Sequence, residues 1–169
     1  MAYTDVISLA TAKTYLRIDD SQNETDSEIT SMIKSALSYV EKHTNVLVYD
    51  RSKTYPVYQR CVRVYDYPIN SVTKAVDDDG VDITLTYKTN YTYTTKNFYT
   101  LYEQIDSDAV SLVLNVGYDD PADVPTELID VALVIIKLMY YEQESDKSFT
   151  DMIPAWAKHI LETNRRHII

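Results

Sequence analysis

Residues 110–141 read VSLVLNVGYDDPADVPTELIDVALVIIKLMYY, and they contain two periodicities separated by a break. Val110, Leu112, Leu114 and Val116 alternate with Ser111, Val113 and Asn115, the period of two that a strand requires. With Ala109, the alternate positions are small or apolar, so both faces can be covered, which predicts a central strand. Gly117, Asp119-Asp120-Pro121 and Pro125 then interrupt the pattern. From about Thr126 the pattern is helical, and between Leu128 and Tyr141 only Asp130 and Lys137 are charged. A helix apolar nearly all round must be central in its fold or be covered by other subunits.

Upstream of this stretch the period is two from Val46 to Tyr118. Strands are expected near 47–57, 61–66, 71–77, 90–94 and 98–103, together with Val81–Tyr87, where Val81, Ile83, Leu85 and Tyr87 alternate with polar residues. Asp79-Gly80 is a hairpin turn signal. Further out the period returns to 3.6. Ser8 is a cap for a helix over about 8–18 carrying Leu9, Ala12 and Leu16. Thr25 and Glu28 fit a capping box for a helix over 26–44, whose stripe is Ile29, Met32, Ile33, Ala36, Leu37 and Val40. Helices are expected again over 126–144 and 154–166, the last with Pro154 in its first turn. Grouped strands between two pairs of helices make an α+β fold: a helical bundle with a mostly antiparallel β-rich insertion at about 46–118, read as a single domain over 1–169.

Composition removes several functions. With glycine only at Gly80 and Gly117, neither a phosphate-binding loop nor a dinucleotide fingerprint can be built, because both need several positions without a Cβ. A single cysteine, Cys61, provides no internal disulfide and no zinc knuckle. The first residues lack the basic start and apolar run of a secretion signal, and no run is long enough to cross a membrane, so synthesis in a cytoplasm is expected. The net charge of -10 and isoelectric point near 4.6 oppose general nucleic-acid binding. That charge is uneven, since residues 152–169 carry Lys158, Arg165 and Arg166 against Glu162 alone.

Asp77-Asp78-Asp79-Gly80 reads as a turn in preference to a calcium loop, whose ligands sit at alternate positions. Asp119, Asp120 and Asp123 suit the positive start of a helix. His43, His159 and His167 have no nucleophile with a flanking carboxylate beside them in sequence, so no catalytic set, metal site or cofactor is assigned. Ten of the sixteen tyrosines, from Tyr49 to Tyr102, fall in the strand region. They can be core, protein interface or a sugar platform, with Tyr91 and Tyr93 on one face. Trp156 and Ile160, with Lys158, Arg165 and Arg166, form either a helix packed on its own domain or a docking element anchored by Trp and Arg.

Taken together, ISLATAKTYLRID, YVEKHTN, PINSVTKAVDDDG, VLNVGYDDPADVPTELIDVALVIIKLMYYEQE and IPAWAKHILETNRR, in that order, resemble the head-to-tail connector (adaptor) proteins of tailed bacteriophages. The resemblance implies a non-enzymatic virion protein of the neck, assembled as a ring of twelve copies beneath the portal, with genomic DNA passing through without sequence-specific binding and a further neck or tail protein below. It implies that the C-terminal helix and tail reach the portal through Trp156, Lys158, His159, Arg165 and Arg166. It also implies that Leu128, Val131, Ile135, Ile136, Met139 and Tyr140 meet neighbouring copies. Lys88 to Asp106 has no counterpart in that family, and Met139-Tyr140-Tyr141 stands where a tryptophan is common. The competing reading is a carbohydrate-binding or baseplate module using the tyrosine-rich sheet.

Overall fold

A computed structural model of the chain describes residues 2–85, 92–95, 100–105, 108–141 and 148–165. The fold is α+β, and the chain divides into two compact units. One is helical and joins the residues up to Tyr49 to Tyr118–Arg165; the other is the β-rich Asp50–Gly117.

The helical unit contains α1 (Tyr3–Val6), α2 (Leu9–Leu16), α3 (Asp26–Thr44), a 3₁₀ turn (Pro121–Asp123), α4 (Thr126–Tyr141), α5 (Phe149–Met152) and α6 (Ala155–Thr163). The Ser8 hydroxyl accepts from the Thr11 N–H, the expected cap of α2. The capping box expected at Thr25 is not made. Thr25 lies at φ -101°, ψ 4°, outside the extended conformation that turns a cap hydroxyl toward the first free N–H groups, and its side chain makes no cap bond. Asp26 and Glu28 still place negative charge in the first turn of α3. That helix ends where Asn45 adopts the left-handed conformation at φ 58° and donates its N–H to the Glu41 carbonyl. Pro154 sits one position earlier than expected, as the residue preceding α6, and its carbonyl accepts from Lys158 N–H. Residues 142–144, expected to extend α4, lie outside the described residues.

The apolar girth of α4 is explained within one copy, because α2, α3 and α6 all pack on it. Leu128, Val131, Ala132, Ile135 and Ile136 meet the α3 stripe of Ile29, Ile33, Ala36, Leu37 and Val40 in a continuous core. Each such Leu or Ile, fully withdrawn from water, contributes about 1.5–3 kcal/mol. Two charged groups are drawn into this unit. Lys13 Nζ lies 2.5 Å from Asp26 Oδ1 and donates to the carbonyls of Asp20 and Gln22, fastening the α2–α3 connection. Glu41 accepts from Tyr3 Oη at 2.8 Å and from Val48 N–H at 2.9 Å, joining α1, α3 and the chain beyond it.

In the β unit, β1 (Arg51–Pro56), β3 (Ile69–Val76), β4 (Asp82–Ile83) and β7 (Ser111–Val116) form a four-stranded sheet in the order β1-β7-β3-β4. A second sheet of β2 (Val62–Val64), β5 (Thr92–Thr95) and β6 (Thr100–Glu103) has the order β2-β6-β5. All pairs are antiparallel. β7 is central, as its apolar second face required. Gly80 takes φ +82° in the β3–β4 turn, closed by Gly80 N–H to the Asp77 carbonyl. The strand expected over Val81–Tyr87 shrinks to Asp82–Ile83, because β3 offers only Ala75 and Val76 as partners there, and Val81 is exposed. Tyr87 lies outside the described residues.

Candidate interaction surface

α6 turns Ala157 and Leu161 into the core and leaves Trp156, His159 and Arg165 exposed, with Lys158 half-buried. Trp156 is 47 % exposed, unusual for the only tryptophan of the chain. The helix is pinned to α4 by Asn164 Nδ2, which donates to Glu127 Oε1 at 2.9 Å. Arg166, placed by its sequence with this group, lies outside the described residues.

Beside this face a groove of about 280 Å³ is lined by Tyr39 and His43 of α3, by Asp151 of α5, and by Lys158, Glu162 and Arg165. Tyr39 and His43 stack at 3.9 Å, and His43 Nδ1 donates to the Tyr39 carbonyl at 2.8 Å, so the ring pair is held by the helix that bears it. Phe149 meets Tyr39 edge-on at 5.7 Å. Burial pushes the Tyr39 phenol above its ordinary value. The structure thus brings Lys158 and Arg165 together at one groove and adds Tyr39 and His43, which no local sequence signal marks.

The six residues expected at a subunit interface divide. Leu128, Val131, Ile135 and Ile136 are fully buried inside their own copy, whereas Met139 and Tyr140 keep part of their surface. Tyr140 packs edge-on against Tyr141, whose hydroxyl donates to the Leu16 carbonyl at 2.7 Å.

The tyrosines of the β unit serve several ends. Tyr55 donates to Asp66, which also accepts from Lys53 Nζ at 2.9 Å. Burial first, then the bond to Asp66 and its charge, push the Tyr55 phenol far up. Tyr93 packs at 5.7 Å on buried Tyr102. Tyr91, which was to share a patch with Tyr93, lies outside the described residues, as does Tyr99. Tyr55 and Tyr58 border a cleft of about 520 Å³ with Arg63 and Glu103. In the Asp77–Asp79 turn the Asp77 carboxylate accepts from Val81 N–H at 2.7 Å, and Asp120 accepts from Ala122 N–H at the 3₁₀ turn. Among the described residues no three His, Cys, Asp or Glu side chains are placed to hold a metal ion.

No family model matches the sequence, and no curated protein does. Solved structures share its fold. A chain in the neck of the empty gene transfer agent particle, computed with C6 symmetry, superposes with a TM-score of 0.77 at 16 % identity, covering 100 % of this chain and 94 % of its own. A chain in the virion of the native gene transfer agent particle gives 0.76 at 15 % identity, covering 100 % and 93 %. One in the neck of the native particle, computed with C12 symmetry, gives 0.68 at 14 %, covering 99 % and 92 %.

Proposed function

We propose that this chain is a structural component of a virion neck, a head-to-tail connector that assembles as a ring of twelve beneath the portal and forms part of the DNA channel. The observation that carries this reading is the end-to-end likeness of fold to chains from the necks of gene transfer agent particles, computed with sixfold and twelvefold symmetry. The chemistry of the chain suits the role. An acidic body repels phosphate, so a channel wall made of it lets DNA slide without gripping it. In this reading Trp156, Lys158, His159 and Arg165 meet the portal, with Arg166 following them in sequence. Trp and Arg are among the side chains that most often carry binding energy at interfaces. Met139 and Tyr140 offer surface to neighbouring copies, while Leu128, Val131, Ile135 and Ile136 act from inside by fixing the shape of α4. A further neck or tail protein adjoins the ring on its other side. The role needs no cofactor and no catalytic group.

Electron microscopy of the full chain mixed with purified portal tests the proposal, with a twelvefold ring at one end of the portal as the expected image. Trp156→Ala combined with Arg165→Glu should abolish attachment without changing the melting temperature. Point changes are the right tool, since removing α6 would also strip Ala157 and Leu161 from the core. A portal that stays bare, or a double variant that still docks, would count against the connector role or the α6 assignment respectively.

A further inference from the structure

Residues 51–65, RSKTYPVYQRCVRVY, contain four cations and no carboxylate, in a chain whose net charge is -10. Residues 77–82, DDDGVD, contain four carboxylates and no cation. The β unit places the start of the first run and the second run on opposite edges of the four-stranded sheet, and the first run then turns at Tyr58–Cys61 into β2, an edge strand of the second sheet. β1, which opens the basic run, is one edge strand, and the acidic turn connects β3 to β4 at the other edge. Pro56 at the end of β1 and Val76 at the end of β3 both register on Ser111 of β7, so the two runs emerge at the same end of the sheet.

Part of each charge is used locally. Lys53 is held by Asp66, and Lys74 holds Asp82. Besides those pairs, Arg60 of the turn and Arg63 of β2 are exposed in the basic run, and Asp78 and Asp79 are exposed in the acidic turn. Each pair flanks an exposed apolar side chain: Tyr58, 72 % exposed, on the basic edge, and Val81, 60 % exposed, on the acidic one. Those are the two highest exposures among the large apolar residues of the described chain. The basic tip is also built at a cost. Tyr58 and Cys61 exchange both backbone bonds around a two-residue turn in which Gln59 and Arg60 take φ 51° and 62°, the left-handed region that a residue bearing a Cβ adopts only with strain. Arg60 Nε donates to the Ile105 carbonyl at 2.8 Å and Ile105 N–H returns to the Arg60 carbonyl, which holds the tip rigid and presents Tyr58.

A ring of identical copies needs two different surfaces that complement each other and face opposite neighbours. We infer that the Tyr58–Arg63 turn of one copy docks on the Asp77–Asp82 turn of the next, with Tyr58 against Val81 and Arg60 and Arg63 against Asp78 and Asp79. This rests on the ring assembly proposed above and names the contact that would build it. Because both turns lie at one end of the sheet, copies standing side by side meet turn to turn. Opposite charge sets the direction of assembly, since like turns repel.

Sedimentation of the full chain, alone and with purified portal, tests the inference. Arg60→Glu with Arg63→Glu, and separately Asp78→Arg with Asp79→Arg, should each raise the concentration needed for assembly roughly tenfold, and combining all four should restore it. Mixing two otherwise cysteine-free chains, C61S/Y58C and C61S/V81C, should give a mixed disulfide between copies under mild oxidation in preference to either like pair. Reversal variants that assemble at the same concentration as the wild type, or like-pair disulfides only, would overturn the contact while leaving the ring intact. A wild-type chain that stays monomeric even with portal would remove the ring and this contact with it. Duplex DNA retained by the wild type and lost on Arg60→Glu with Arg63→Glu, with assembly unchanged, would reassign the basic edge to phosphate.

Discussion

The helical unit and the β unit are built on different balances. In the first, long helices bury whole side chains against one another, and its two drawn-in charges, Lys13 and Glu41, are held by both side-chain and backbone groups. In the second, the sheets are small, several tyrosines are only half-withdrawn, and Lys53–Asp66 is a partly buried polar pair while Lys74–Asp82 lies at the surface. The difference teaches where substitutions hurt. Stability is expected to be concentrated in the helical core, where substitutions should cost most, and less in the smaller sheets of the β unit.

Ile136→Asp is the strongest attack on that contrast. An unpaired charge at a fully buried site of α4 should cost about 4 kcal/mol or more, and urea unfolding with an unchanged midpoint would show that the helical unit is not the stability centre. Lys13→Ala strands Asp26 and two carbonyls, with an expected loss of about 2–3 kcal/mol in the same measurement. In the β unit the effects should be smaller and dependent on pH. Tyr55→Phe removes a donor to Asp66, for about 1 kcal/mol near neutrality. The folded chain holds the Tyr55 proton more tightly than the unfolded one, so its contribution is full below the ordinary phenol value of roughly 10 and is lost as pH rises above it. Denaturation midpoints at about pH 8 and about pH 11 should therefore converge for Tyr55→Phe and wild type on the alkaline side. The smallest effect carries the opposite sign. Gln59→Gly relieves a left-handed residue and should stabilise the fold by about 0.5 kcal/mol at most once the added freedom of the unfolded chain is subtracted, read as a slight rise in melting temperature.

Much of the fold could be read from periodicity. The limits of α3 coincide with its stripe, the Ser8 cap is made, and the small second face of β7 marked it as central. What escaped was either too short or too distant. α1 and α5 have four residues each, fewer than a helical period needs to declare itself. The Val81–Leu85 alternation was genuine in sequence but had only two partner residues to pair with. Lys13 and Glu41 look like surface charges, because backbone acceptors and donors leave no trace in composition. On the candidate surface, Trp156, His159 and Arg165 came from the resemblance to the connector family, and the structure leaves all three exposed. Tyr39 and His43 were not, because Lys158 and Arg165 come beside them only through packing across more than a hundred residues of chain.

The points where the helical unit releases and recovers the chain lie side by side: Tyr118 N–H donates to the Leu47 carbonyl at 3.3 Å. The intervening residues are therefore a cassette with joined ends, and the stretch from 50 to 117 can be exchanged for a tight turn at little entropic cost to the bundle. The same seam is where a foreign domain with adjacent termini could be grafted without redesign of the helices.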